Sequence, residues 1–279
     1  MEFEKPSNIK NNSKLQEFKN KKVIITGATG TIGSEVLHKF LLGGAHIVGF
    51  VHSLNKVSPN LLECVKNGQL KLIALDLNNT IRINEKFKEA LIFLQGELDI
   101  LIFCHGKFFG GDVSRIKTDY FDQNISINVR ANFHLLSLSV PFLKISKGNV
   151  VMISSMETKI VERGDFLHAL SKSMINSLVE NSALELASFG VRVNAVAPSF
   201  VNSNYRVGLL MKENDNEEYL NQMKEYSLLK KEIINPEEVA DIIIFLASDE
   251  AKFMTGEIIT VDNGFELNHD CSFQQDDDN

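Results

Sequence analysis

The stretch KKVIITGATGTIGSEVL, residues 21–37, decides the fold. Val23, Ile24 and Ile25 form a short apolar run that suits a buried strand, and the run stops at Thr26. A glycine turn follows, and helical periodicity opens near Ile32, which is the strand–turn–helix context of a phosphate-cradling loop. Gly27 permits the tight turn. Gly30 and Gly33 let backbone and helix approach a pyrophosphate held by the positive end of the helix dipole. Thr29, Thr31 and Ile32 complete the expected cradle. The bland alternative is an ordinary strand-to-helix turn.

Working outward, apolar runs alternate with stretches of helical period along the chain. The runs are KVIIT, HIVGFV, LKLIAL, LDILIFC, NVVMIS, VRVNAVA and IITVD, all continuous rather than alternating with polar residues, as strands buried on both faces require. SEVLHKFLLGG, NEKFKEALIFLQG and SMINSLVENSALELASFG between them repeat apolar residues every three or four positions and end in Gly. Such alternation predicts βαβ units: an α/β, Rossmann-like, doubly wound parallel seven-stranded sheet with helices on both faces. The expected organisation is a flexible amino-terminal arm over 1–20, one nucleotide-binding domain over 21–266 and a disordered acidic tail over 267–279.

Composition excludes several function classes. The formal net charge of -7 and pI near 5.6 argue against a nucleic-acid partner, because backbone affinity needs clustered Lys and Arg. Cys64, Cys104 and Cys271 lie far apart without a CxxC pair, so neither a disulfide framework nor a zinc site is expected. The first residues lack the apolar core of a secretory signal, and no run is long enough to span a bilayer. The expectation is a cytoplasmic protein.

TGATGTIG, taken with later motifs, resembles the short-chain dehydrogenase/reductase family, specifically its single-domain 3-oxoacyl reductase-like members, over residues 20–266. Those members carry TGxxxGxG, which would put Gly where Thr31 stands, so Gly30 fits the spacing of the longer members instead. The resemblance implies an NAD(P)(H)-dependent oxidoreductase. Val51 occupies the position where NAD-specific members carry Asp, and His52, Ser53, Asn55 and Lys56 suit a phosphate, so NADP(H) is favoured over NAD(H). Asp76 and Leu77 match the family's adenine-contacting pair, with a helix-capping role for Asp76 as the alternative. The family's NNAG reads FCHG here. Gly106 is kept, and His105 stands where it either meets the cofactor or turns to solvent. Pro198 and Val201 match the segment beside the carboxamide, although Ser199 and Ser203 depart from its Gly and Thr.

The resemblance also implies a catalytic set. Asn128, Ser155 and Lys172 match the family's Asn, Ser and Lys in register, and His168 stands where the family keeps Tyr. Positions 168 and 172 share a helix face one turn apart. In the family, Ser binds the substrate carbonyl, Tyr exchanges the proton, Lys lowers the Tyr pKa and binds the ribose, and Asn holds a water. A phenol titrates near 10 and an imidazole near 6.5, so a neighbouring Lys⁺ leaves His168 mostly neutral at pH 7. Two readings follow. One is an oxidoreductase acting on a carbonyl or secondary alcohol, with an apolar pocket of Phe108, Phe109, Met156, Phe166 and Phe200. The other is a catalytically impaired pseudoenzyme serving as a structural or interaction subunit. Tyr205 is the conceivable substitute donor, in a segment over 204–232 where the family places its substrate lid. The resemblance further implies a homodimer or homotetramer, or a hetero-assembly for a pseudoenzyme, through the helices carrying Asn128 and Lys172.

Overall fold

The computed structural model describes residues 17–54, 59–202, 221, 224–225, 227–229 and 232–272. Each apolar run becomes a strand: β1 (Lys22–Thr26), β2 (His46–Val51), β3 (Leu70–Ala74), β4 (Ile100–Phe103), β5 (Asn149–Ile153), β6 (Arg192–Pro198) and β7 (Ile258–Val261). They form one sheet in the order β3-β2-β1-β4-β5-β6-β7. Every neighbouring pair is parallel. The doubly wound sheet expected from the sequence is thus present.

Strand residues alternate between two apolar layers, because successive side chains leave opposite faces of a strand. Ile24, Leu101, Val150 and Val193 join one layer, and Val23, Ile25, Ile102 and Val196 join the other. Helices α1 (Thr31–Leu42), α2 (Pro59–Lys66), α3 (Thr80–Phe93), α4 (Thr118–Ile125), α5 (Ala131–Ser146), α6 (Phe166–Leu186), α7 (Pro236–Ala247) and α8 (Phe265–Ser272) complete the described chain. α3, α5 and α6 cover the first layer through Phe87, Leu135 and Val179. The second is covered by α1 and α7 through Leu37, Phe40 and Ile243.

The described structure continues past both ends of the 21–266 span. Phe18 is buried with its ring 4.7 Å from that of Phe40, so the last residues of the expected arm pack into the core. α8 runs through Ser272, so the first residues of the expected tail are helical. Residues 1–16 and 273–279 lie outside the described residues, as do Asn55, Lys56, Ser203, Tyr205 and most of the expected lid. Among the described residues, no helix is long and apolar enough to cross a membrane.

Candidate active site

β1 and β4 are adjacent although their connections leave in opposite directions, which opens a crevice at the carboxyl ends of the strands. A cavity of about 850 Å³ occupies it. One wall is the glycine loop, with Gly27, Thr29, Gly30, Thr31 and Ile32 all on the surface. No side chain caps α1 at Gly30, so the N–H groups of its first turn are left for a ligand. Gly33 does not line the cavity. A Cβ there would lie 2.1 Å from the Gly27 carbonyl oxygen, so this glycine lets the helix close against the loop from behind. Gly27 itself has φ +65 and sits against the backbone of His105. The loop residues therefore fit a dinucleotide's diphosphate.

The far end of the cavity is lined by Val51, exposed His52 and Ser53 beside Asp76 and Leu77. Asp76 accepts from the Asn78 backbone at 3.0 Å, a turn contact, while the next helix is capped by Asn79. Gly106, Pro198 and Val201 also line the cavity.

His105 turns inward rather than to solvent. Its Nε2 lies 3.1 Å from the Ile127 carbonyl and its Nδ1 2.6 Å from the Thr26 hydroxyl. Burial pulls its pKa down to about 4, so the ring is neutral near pH 7. Because a carbonyl only accepts, Nε2 carries the proton and Nδ1 accepts from Thr26.

Ser155, His168 and Lys172 meet on the cavity wall. Ser155 follows β5 and caps a short 3₁₀ turn over Met156–Thr158, its oxygen accepting from the Glu157 N–H at 3.3 Å. His168 and Lys172 are one turn apart in α6 and both buried. Lys172 Nζ donates to the Ile153 carbonyl at 2.7 Å. Burial lowers its pKa to about 8, opposed by the charges of Glu157 and Cys104. Asn128 stands behind this wall in a π-helical turn, Ser126–Arg130. Its amide clamps the Lys107 backbone, accepting from N at 2.9 Å and donating to O at 2.8 Å. Its own carbonyl accepts from Asn132 Nδ2 at 2.7 Å.

Of the five residues expected to form an apolar pocket, Phe108 and Phe200 line the cavity. Phe109 packs in the interior against Tyr120, Met156 joins Ile160 and Phe265, and Phe166 is 44% exposed. Side-chain direction, not position beside the motif, separates them. The surface holds charged groups that sequence reasoning missed, among them Lys107, Glu157, Glu162, Arg163 and Asp165. Glu157 is the most consequential: its Oε2 lies 3.5 Å from His168 Nε2, with only 5% and 10% of the two side chains exposed. The available signal was an acid two residues after Ser155, in the turn that follows a buried strand.

A family model described as enoyl-(acyl carrier protein) reductase matches residues 27–266. The 3-oxoacyl-[acyl-carrier-protein] reductase FabG of Thermotoga maritima is 30% identical over 247 residues, covering 86% of this chain and 96% of that protein. A tropinone reductase homolog of Arabidopsis thaliana, At1g07440, is 28% identical over 92% of this chain and 95% of its own length. Among solved structures, a short-chain dehydrogenase/reductase of unknown function from Caenorhabditis elegans, crystallised with cofactor, superposes with a TM-score of 0.80 at 25% identity, over 90% of this chain and 97% of that one. A match to the family model over most of its length, with a parallel sheet and glycine loop to suit, means that the chain belongs to the short-chain dehydrogenase/reductase family.

Proposed function

We propose that this protein is an NAD(P)(H)-dependent oxidoreductase acting on a carbonyl or secondary alcohol of a largely apolar substrate. One observation carries the reading: a single cavity of about 850 Å³ joins the glycine loop to Ser155, His168 and Lys172, room enough for a dinucleotide and a small substrate together. The first turn of α1 receives the diphosphate, Asp76 and Leu77 flank the adenine, and Lys172 holds the nicotinamide ribose. When bound, the reduced nicotinamide supplies a hydride to the substrate carbonyl carbon. Ser155 accepts from a backbone N–H, which leaves its hydroxyl proton to bind the substrate oxygen. His168 takes the place of the family's tyrosine and gives the proton. Phe108, whose ring lies 5.2 Å from the imidazole, and Phe200 present apolar surface to the substrate.

NADPH is the preferred cofactor in this reading, because exposed His52 and half-buried Ser53 follow β2 where a carboxylate would select a free ribose diol. The test is calorimetric titration with NADPH and NADH, followed by reduction of a panel of apolar ketones. Wild type, His168→Ala and His168→Tyr are compared between pH 5 and 9. Binding of NADPH and turnover that His168→Ala abolishes are expected. Binding without wild-type turnover, with activity only in His168→Tyr, would favour the pseudoenzyme. Failure to bind either cofactor at millimolar concentration overturns the reading altogether.

A further inference from the structure

The geometry points to Glu157 as a positioning residue that keeps the His168 imidazole protonated and so makes it the proton donor of this site, an inference that rests on the oxidoreductase reading. A carboxylate is rarely buried without a charged partner, because it loses its hydration on leaving water. Glu157 is only 4% exposed, and its Oε2 faces His168 Nε2 at 3.5 Å. Both side chains line the cavity, while His168 Nδ1 is sealed from solvent, so Nε2 is the ring nitrogen that meets both the carboxylate and a substrate.

The charge balance explains the pairing. His168 shares a helix face with Lys172, whose positive charge opposes a second one on the imidazole. Alone with Lys172, the ring would seldom carry the proton it is to give. Glu157 supplies the missing negative charge: it comes from the turn after β5, reaches His168 from a different element, and acts on Lys172 as well. At 3.5 Å the contact is an ion-pair distance rather than a short hydrogen bond, so the Nε2 proton is still available to a substrate oxygen. On transfer the proton leaves Nε2 for that oxygen, and the imidazole becomes neutral beside the carboxylate before regaining a proton from water. Other charged or titratable groups on the same cavity are His52 after β2, Asp76 after β3, Cys104, His105 and Lys107 after β4, and Glu162, Arg163 and Asp165 before α6.

The test uses the full chain without added cofactor, with isotope-labelled histidine followed by NMR between pH 5 and 9. The His168 signal is identified by its loss in His168→Gln. Relative to wild type, Glu157→Gln is expected to lower the His168 titration midpoint by about one pH unit or more, the usual influence of an adjacent opposite charge. Glu157→Asp, which keeps the charge but retracts it, is expected to fall between the two. The carbonyl-reduction profile moves in the same sense: activity needs the protonated ring, so its decline with rising pH starts at lower pH in Glu157→Gln. A midpoint in both variants equal to or above that of wild type overturns the inference, even if reduction is observed. A midpoint shift with an unmoved activity profile also overturns the donor role. If the shift is present and wild type binds NADPH yet reduces nothing in the panel, the oxidoreductase reading falls and the ion pair stands.

Discussion

His105 illustrates how one residue on the cavity can brace the elements around it. Its two ring nitrogens tie Thr26 at the end of β1 to Ile127 in the π-helical turn, behind the loop that follows β4. Burial favours the neutral ring and lowers its pKa from 6.5 to about 4. The unfolded chain therefore takes up this proton first as pH falls. The stabilisation is complete above about pH 6.5 and is lost progressively as pH drops towards 4. The difference of 2.5 units (6.5 minus 4) corresponds to about 3 kcal/mol. His105→Asn is expected to show less loss of stability than wild type between pH 7 and 4. Urea unfolding followed by circular dichroism checks this, and parallel pH dependence in the two proteins would contradict it.

Among the elements, the join between α4 and α5 matters most for the site. The helix does not run straight through: the five residues Ser126–Arg130 form a π turn, which places Asn128 against the Lys107 backbone. That clamp fixes the segment carrying Gly106, Lys107 and Phe108 along the cavity. Asn128→Ala removes the two hydrogen bonds to the Lys107 backbone and a 3.5 Å bond to the Ser171 hydroxyl, at a cost of about 1–3 kcal/mol. The melting temperature is expected to fall by several degrees and NADPH affinity to weaken several-fold, since the cavity wall loosens. An unchanged affinity by calorimetry would mean that the clamp stabilises the fold without shaping the site.

For the whole molecule, the proposed assembly is a homodimer built on α5 and α6. Phe133 and Ile145 on α5, and Met174 and Leu184 on α6, expose large apolar side chains that a monomer would leave to water. Sedimentation at micromolar concentration is expected to give a dimer or tetramer. Leu184→Glu, with Leu184 80% exposed, is expected to shift the population towards monomer while the fold is kept. A wild-type monomer under these conditions contradicts the assembly.

Much of this architecture was legible in the linear order of residues, because strands and helices are written in short periods. Continuous apolar runs located all seven strands, and glycine punctuation located the loop before α1. The four-residue spacing of His168 and Lys172 places them on one helix face, so their approach was also readable. Tertiary structure alone decided the rest. Glu157 and His168 belong to different elements, and their contact depends on how the chain between them folds back over the end of the sheet. Whether His105 faces inward, and whether Phe109, Met156 or Phe166 reaches the cavity, depends on the packing of neighbouring elements, which no local period encodes. A period specifies which face of an element is apolar. The distance between groups on different elements is set by long-range packing, and with it the electrostatic environment of the site.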